Sequence, residues 1–360
     1  MDWHRFLARP ALPAPAPELL YALRGRRILI TGAGGSIASA LAVRLAGLAP
    51  AHLVLLESSE SHLFHLQNRW RSLPAPGQAT FVLGSVENRT LLQDIFEQHA
   101  PQIVVHAAAF KHLALLEEQP LAAIANNIFA TRTLADVASD HGARLVLLST
   151  DKAVEPTSVL GATKHVAERI VLAAGGTVLR LCNVLASRDS VVEIFARQIA
   201  EGGPMTVTDP AARRYFVTLE EAVNLLLSAA LRSGSRPLLI PDIQIPHFIA
   251  DLARFLAQEL SPSRPIGIRF TARRSGEKET EKLFASNEAI VPPAENGLLP
   301  LRPTFGSHAV QNSIYQELCA AHTSRDAAAS LALLRRLVPE FQPSDALRAA
   351  VAQNASGVAP

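Results

Sequence analysis

Ser149, Thr150, Asp151 and Lys152 place two hydroxyls, a carboxylate and an ammonium side by side, and Lys164 follows further on. An acid and a base within reach of each other can give a proton to one substrate atom and take one from another. Thr150, Asp151, Lys152 and Lys164 are therefore the candidate catalytic residues. Taken alone, the cluster equally describes a capped loop of solvated charges, so its setting decides. Leu145–Leu148 is a short apolar run, the pattern of a strand buried on both faces. Glu155-Pro156-Thr157 breaks the chain. A helical pattern follows, with Lys164 near its start and Val166, Ile170 and Val171 on one face. Ligands of open α/β sheets sit beyond the carboxyl ends of strands, where this cluster falls.

A second constellation lies near the start. A strand, Arg27–Thr31, runs into Gly32-Ala33-Gly34-Gly35-Ser36-Ile37-Ala38, and a helix with Ala40, Leu41, Val43 and Leu45 follows. Between a strand and a helix, such glycines let backbone approach a diphosphate at the helix N-terminus. Gly32, Gly34, Gly35, Ser36 and Ile37 are the expected contacts. The next strand, His52–Leu56, ends at Glu57, about 20 residues past the turn, where an acid binds both hydroxyls of an adenosine ribose. Glu57 would repel a 2′-phosphate and Ser58 could soften that, so the expected cofactor is NAD(P), with NAD preferred. Phe81–Val86 is a third strand and its end, placing Ser85 and Val86 beside an adenine. The fourth, Gln102–His106, leads into Ala107, Ala108 and Ala109, small enough for backbone to lie on a cofactor. Lys111 and His112 follow on the nicotinamide side, although a lone histidine is more often structural. Pro120–Ser139 reads as a helix carrying Asn126, a further cofactor candidate, and Asn127; a buried asparagine there needs partners.

Strands alternating with helices, with Thr177–Leu181 the sixth, imply a Rossmann-type doubly wound parallel sheet. That domain is expected over 25–185, after an N-terminal arm at 1–24 whose prolines make its middle extended and whose Phe6, Leu7, Leu19, Leu20 and Leu23 could dock it. A smaller substrate lobe is expected over 186–343, with some segments returning to the sheet, and a polar tail over 344–360. The lobe should hold helices at Val191–Glu201, Leu219–Arg232 and His247–Leu260, and strands at Met205–Thr208, Pro237–Ile240 and Ile266–Thr271. A further helix is expected at Ala327–Leu337. Arginines near these strand ends suit phosphates, which guanidinium binds bidentately.

The 360 residues are 49% hydrophobic, enough for a large core, and 34 basic against 32 acidic residues leave no basic excess for nucleic acid. Cys182 and Cys319 lie far apart without metal-like spacing and fit a reduced cytoplasmic setting. No metal, membrane span or signal peptide is expected.

The pieces TGAGGSIA, VVHAAAFKHLALLEEQP, LLSTDKAVEPTSVLGATK, RLCNVLASRDSVV, IAEGGPMTVTDPAARRYF and RRSGEK occur in this order. Together they resemble the extended short-chain dehydrogenase/reductase superfamily, and within it the nucleotide-sugar 4,6-dehydratases of bacterial polysaccharide biosynthesis. The likeness runs from about Phe6 to Pro343, and the arm resembles the lead-in to the catalytic part of long, membrane-anchored members. It implies a UDP-N-acetylglucosamine-like substrate, converted to a 4-keto-6-deoxy sugar while bound NAD(P) is recycled. It further implies Asp151 as the acid for the 6-hydroxyl, Lys152 as the base at carbon 5, and Lys164 at the nicotinamide ribose. Lys111, His112, Asn183, Val191, Arg214, Arg274 and Glu277 would meet the UDP-sugar, and a homo-oligomer is implied by analogy. Several positions depart from that pattern. Leu160 stands where the superfamily carries tyrosine, leaving Thr150, Asp151 and Lys152 as alternatives for deprotonating the 4-hydroxyl. Ser85 replaces an aspartate at the adenine. Cys182, Ala186 and Asp189 replace glycines, and Glu193 and Ser275 replace prolines. A 4-keto sugar epimerase or reductase, or a catalytically impaired nucleotide-sugar-binding protein, are the competing readings.

Overall fold

Strand β1 (Arg27–Thr31) lies between β2 (His52–Glu57) and β4 (Ile103–His106), parallel to both, in the computed structural model, which describes residues 1–232, 238–302 and 310–355. The remaining strands of this sheet are β3 (Ala79–Leu83), β5 (Arg144–Thr150), β6 (Thr177–Leu181), β7 (Leu238–Pro241), β8 (Ala289–Ile290) and β9 (Leu298–Arg302). Among the described residues their order is β8-β9-β7-β6-β5-β4-β1-β2-β3. The chain reverses direction across the sheet between β1 and β4, which opens a ligand crevice at their carboxyl ends. β1, β2, β4 and β6 are buried almost throughout. Apolar runs without alternation suit strands covered by helices on both faces.

The sheet is parallel from β3 to β7, as expected. An addition was not expected: β9 pairs antiparallel with β7, and β8 antiparallel with β9. Both are short, and prolines at 292, 293 and 300 hide their pattern. The expected strand at Pro237–Ile240 is observed from Leu238, Pro237 lying outside the described residues.

Helices flank the sheet. α1 (Ser36–Ala46) follows the glycine-rich turn, and α2 (Val159–Ala173), buried along most of its length, carries Lys164. The segment expected as one helix from Pro120 to Ser139 is α-helical at Pro120–Ile124 and Ala130–Asp140, with a π-helical turn at Ala125–Phe129 between them. The lobe has its own core, in which Leu185, Phe195, Met205, Phe216 and Leu256 meet Phe6 and Leu7 of the arm. The lobe's third expected helix starts at Ile249, because His247–Phe248 pairs with Arg213–Arg214.

One terminal expectation, the polar tail, needs correction. The arm's proline-rich middle has no regular secondary structure, and helices Trp3–Leu7 and Pro17–Tyr21 stand on either side of it. Glu221 fastens it, accepting from Arg9 Nη1 at 2.6 Å, Arg9 Nη2 at 2.9 Å and Leu12 N at 2.9 Å. The polar tail begins as a helix, Asp345–Ala355, with Leu347 buried. Beside it, Ala327–Leu337 forms the expected helix and Asn312–Thr323 an unexpected one. Among the described residues no helix is long and apolar enough to cross a membrane.

Candidate active site

β5 ends at Thr150 and turns at once into a 3-10 turn, Asp151–Ala153. Asp151 is fully buried at that turn. Its Oδ1 accepts from Lys152 Nζ at 2.9 Å and from Thr150 Oγ1 at 3.0 Å, whereas Oδ2 has no partner among the described residues. Lys152 Nζ also donates to Asn183 Oδ1 at 3.0 Å, from the segment just past β6. Burial draws the Lys152 ammonium down, but the carboxylates of Asp151 and Glu281 outweigh it and hold its pKa above the ordinary value. The turn can close because residue 161 is glycine: a Cβ there would lie 2.2 Å from the Lys152 carbonyl oxygen. The start of α2 therefore presses directly on the Asp151–Ala153 turn.

Lys164 sits on the same helix, its Nζ donating to Leu148 O at 2.9 Å. Burial lowers its pKa to about 8, with Glu168 opposing. Glu168 is held in turn by Arg180, 2.8 Å away, which also meets Glu288 at 2.7 Å, all three buried. This charge cluster ties α2 and a lobe segment to β6. Leu160, at the first turn of α2, is a core residue.

At the other side of the crevice, Gly32 has φ +63°, and a Cβ on it would lie 2.7 Å from the backbone of Ala108. Glycine thus lets the turn touch Ala107–Ala108 after β4. Gly35 caps α1 without a side-chain hydrogen bond, so the first N–H groups at Ser36 and Ile37 face the crevice end of the helix, as a diphosphate requires. Glu57 is buried and already engaged: Gly34 N donates to Oε2 and Ser59 N to Oε1, each at 2.9 Å. The structure thus gives Glu57 a further task, holding the turn itself. Ser58 follows it, and Ser85 caps its own loop by accepting from Glu87 N at 3.1 Å, next to buried Val86. Asn126 donates to Asn127 Oδ1 at 3.0 Å. Asn127 also bonds Phe110 N at 3.0 Å and Thr163 Oγ1 at 3.2 Å, so it clamps the Ala107–His112 loop to α2. His106 is buried between Thr31 Oγ1 at 2.8 Å and Thr131 Oγ1 at 3.0 Å. Burial, then Lys164, pushes its pKa down to about 3, so it serves as a neutral strut.

The 187–190 loop bridges the two sides. Arg188 N donates to Ser36 Oγ at 3.0 Å, its guanidinium donates to Gly34 O, and its own carbonyl accepts from Lys111 Nζ at 2.7 Å. His112 Nε2 lies 3.9 Å from Asp189 Oδ2. Ala186 and Asp189 hold φ near +57° and +56°, the left-handed conformation for which the resemblance predicts glycine. Glu193 compensates for the lost proline by accepting from Asp189 N at 2.7 Å, next to half-buried Val191 at the start of the following helix.

In the lobe, buried Arg214 donates to Glu277 Oε1 at 3.1 Å, and Arg274 N donates to Glu277 Oε2 at 3.3 Å. Arg274 itself is exposed, on a loop that reaches back to the crevice through Lys278, whose Nζ donates to Val154 O at 2.6 Å. The structure therefore brings Thr150, Asp151, Lys152 and Asn183 into one bonded group. It joins Arg214 to Glu277 in another, and keeps Lys111 and His112 with the 187–190 loop. The sequence did not mark Arg188, Glu281 or Tyr215 as site residues, whereas Asn127, on the helix where a buried asparagine needs partners, finds them in Phe110 and Thr163. Tyr215 O accepts from Asn183 N at 3.2 Å, and the pKa of the half-buried Tyr215 phenol is raised by burial, then by Cys182 and Asp151. RRYF in the quoted pieces was the signal for Tyr215; none distinguished Arg188 from other surface arginines.

A doubly wound sheet with its crevice at the β1/β4 reversal defines a Rossmann-type fold. Residues 28–297 match the polysaccharide biosynthesis protein family, and the chain belongs to it. Its sequence is 35% identical over 291 residues to a probable polysaccharide biosynthesis protein, EpsC, of Bacillus subtilis, covering 78% of this chain and 49% of that one. The chain thus spans about half the length of that relative. It is 31% identical over 277 residues to the inverting UDP-N-acetylglucosamine 4,6-dehydratase of Campylobacter jejuni, covering 74% of this chain and 79% of that one. The fold is similar to that of the dTDP-glucose 4,6-dehydratase DesIV of Streptomyces venezuelae, solved with NAD bound, with a TM-score of 0.62 at 21% identity over 71% of this chain and 88% of that one.

Proposed function

We propose that the chain is an NAD(P)-dependent nucleotide-sugar 4,6-dehydratase acting on a UDP-N-acetylglucosamine-like sugar. The observation that carries this reading is the 2.9 Å contact between half-buried Lys152 and fully buried Asp151 at the end of β5. An epimerase acting at carbon 4 needs no acid–base pair for carbons 5 and 6, whereas a dehydratase does. The glycine-rich turn, the bare N-terminus of α1 and the small residues after β4 fit a dinucleotide. When bound, that dinucleotide supplies the acceptor and later the donor of hydride.

The chain's own residues handle protons. The resting pair is carboxylate and ammonium, and moving one proton across the contact gives carboxylic acid and amine without changing total charge. Excluding water around an uncharged sugar favours that neutral form. Lys152 then takes the proton from carbon 5, and Asp151 delivers its own to the leaving 6-hydroxyl. Water departs, and the pair is again carboxylate and ammonium. Lys152 then returns its proton to carbon 5 as carbon 6 gains hydride, and the proton released from the 4-hydroxyl restores the pair. Asn183 orients the Lys152 amine, and Thr150 holds the carboxyl. Arg214, Arg274 and Glu277 bind the UDP-sugar.

The test is incubation of the protein with UDP-N-acetylglucosamine and NAD+, followed by mass spectrometry and NMR. Loss of one water with a keto carbon at position 4 is the expected result. An unchanged sugar that nevertheless binds would overturn the dehydratase assignment.

A further inference from the structure

We propose that the chain carries a second anion site, for a polyphosphorylated small molecule of nucleotide size, at the end of the sheet opposite the Asp151–Lys152 cluster. A cavity of about 530 Å³ opens there, where β1, β4 and β5 begin. Arg26, Arg27, Arg144 and His141 line it together with Gln102 and Pro101, and among the described residues no carboxylate side chain is in its wall. Ligand pockets run from roughly 300 to 1,000 Å³, so the space suits a nucleotide better than a single phosphate.

Each arginine is held by one backbone bond. Arg26 Nε donates to Ala22 O at 3.2 Å, Arg27 Nε to Ala100 O at 2.8 Å, and Arg144 Nη1 to Ala230 O at 3.1 Å. A guanidinium has five N–H donors, so most of each fork remains to be used. Among the described residues none of the three forms an ion pair, although the chain pairs many of its other arginines. Satisfying a helix-end carbonyl takes one donor; it does not explain three like charges around one hollow. A multiply charged anion would relieve their repulsion and accept bidentately from the forks. His141 Nδ1 is engaged with Val137 O at 2.9 Å, which leaves Nε2 to the cavity. Gln102 Oε1 accepts from Arg27 N at 3.2 Å, which leaves its amide N–H groups.

The site is separate from the crevice. β5 runs from Arg144 at the cavity to Thr150 at the catalytic turn. That is about 20 Å of strand, so one small molecule does not reach both ends.

Titration calorimetry tests this on protein saturated with NAD+ and UDP, which fill the crevice. Inorganic pyrophosphate is expected to bind once more, and ATP at least tenfold more tightly. The double variant Arg26→Gln/Arg144→Gln should weaken both at least tenfold and still fold, because both residues are exposed and each gives up a single backbone hydrogen bond. The charge-keeping Arg26→Lys/Arg144→Lys pair should lose less. No heat in the saturated wild type, or unchanged affinity in the Gln pair, overturns the site. ATP binding no tighter than pyrophosphate overturns the nucleotide-sized ligand. Should the double variant not fold, Arg26→Gln alone decides by the same criterion, since Arg26 is a surface residue.

Discussion

Lys152 Nζ lies 2.9 Å from Asp151 Oδ1, and the other oxygen of that fully buried carboxylate has no partner among the described residues. A buried acceptor left open is costly in a purely structural ion pair. It is what a group needs that must meet a substrate hydroxyl. Lys152→Ala is therefore expected to reduce turnover by roughly 10²–10⁴-fold while leaving dinucleotide affinity within twofold. Steady-state rates with UDP-N-acetylglucosamine, set beside NAD+ titration, measure both. Retained turnover removes Lys152 from the mechanism.

Glu57 bonds Gly34 N and Ser59 N and stands where the adenosine ribose is expected. Replacing Glu57 with Ala removes a charge that repels a 2′-phosphate, so the ratio of NADP to NAD affinity should rise about tenfold, or about 1.4 kcal/mol. Loss of the two hydrogen bonds should lower affinity for both dinucleotides as well. An unchanged ratio would sink the discriminating role and leave only the turn-holding one.

Lys164 has its pKa drawn down to about 8 by burial. If its cation holds the nicotinamide ribose, dinucleotide affinity falls as pH rises through about 8, and Lys164→Arg, always charged, flattens that fall. The stability sign follows from the same shift. The fold disfavours the charged form, so stability is lowered below about pH 8 and recovers as the unfolded lysine deprotonates towards 10.5. NAD+ titration across this range checks the first statement.

His106 is held neutral, with a pKa near 3 against 6.5 unfolded. Between those values the unfolded chain binds the proton and the folded chain does not. Stability is therefore lost as pH falls through 6.5, by up to about 1.4 kcal/mol per pH unit from this residue. His106→Gln, which can still bridge Thr31 and Thr131, should show a shallower loss. Urea unfolding at about pH 7 and about pH 4.5 compares the two slopes.

Ala186 holds φ near +57° at the start of the loop that crosses the crevice. A non-glycine residue there costs about 1 kcal/mol, so Ala186→Gly should stabilise the protein by about that much. A lower urea midpoint for this variant would contradict the strain.

Local chemistry made much of this molecule readable in advance. The strand–glycine–helix passage from Arg27 to Leu45, the apolar run before Thr150 and the break at Pro156 declare themselves over a few neighbouring residues. They set the order of the sheet and the end of it on which Asp151 and Lys152 stand. What the sequence could not declare depends on partners distant in the chain. The carboxylate of Glu57 reaches back to Gly34, Asn127 to Phe110 and Thr163, and Arg188 to Gly34 and Ser36. The antiparallel β9 reads as a proline-interrupted loop until β7 offers it an edge. The charge state of Lys152 is likewise a tertiary property, because Glu281, one of the two carboxylates that fix it, arrives from the far end of the lobe. Spacing reveals which groups are present, whereas burial and the fields of remote charges decide what each of them can do.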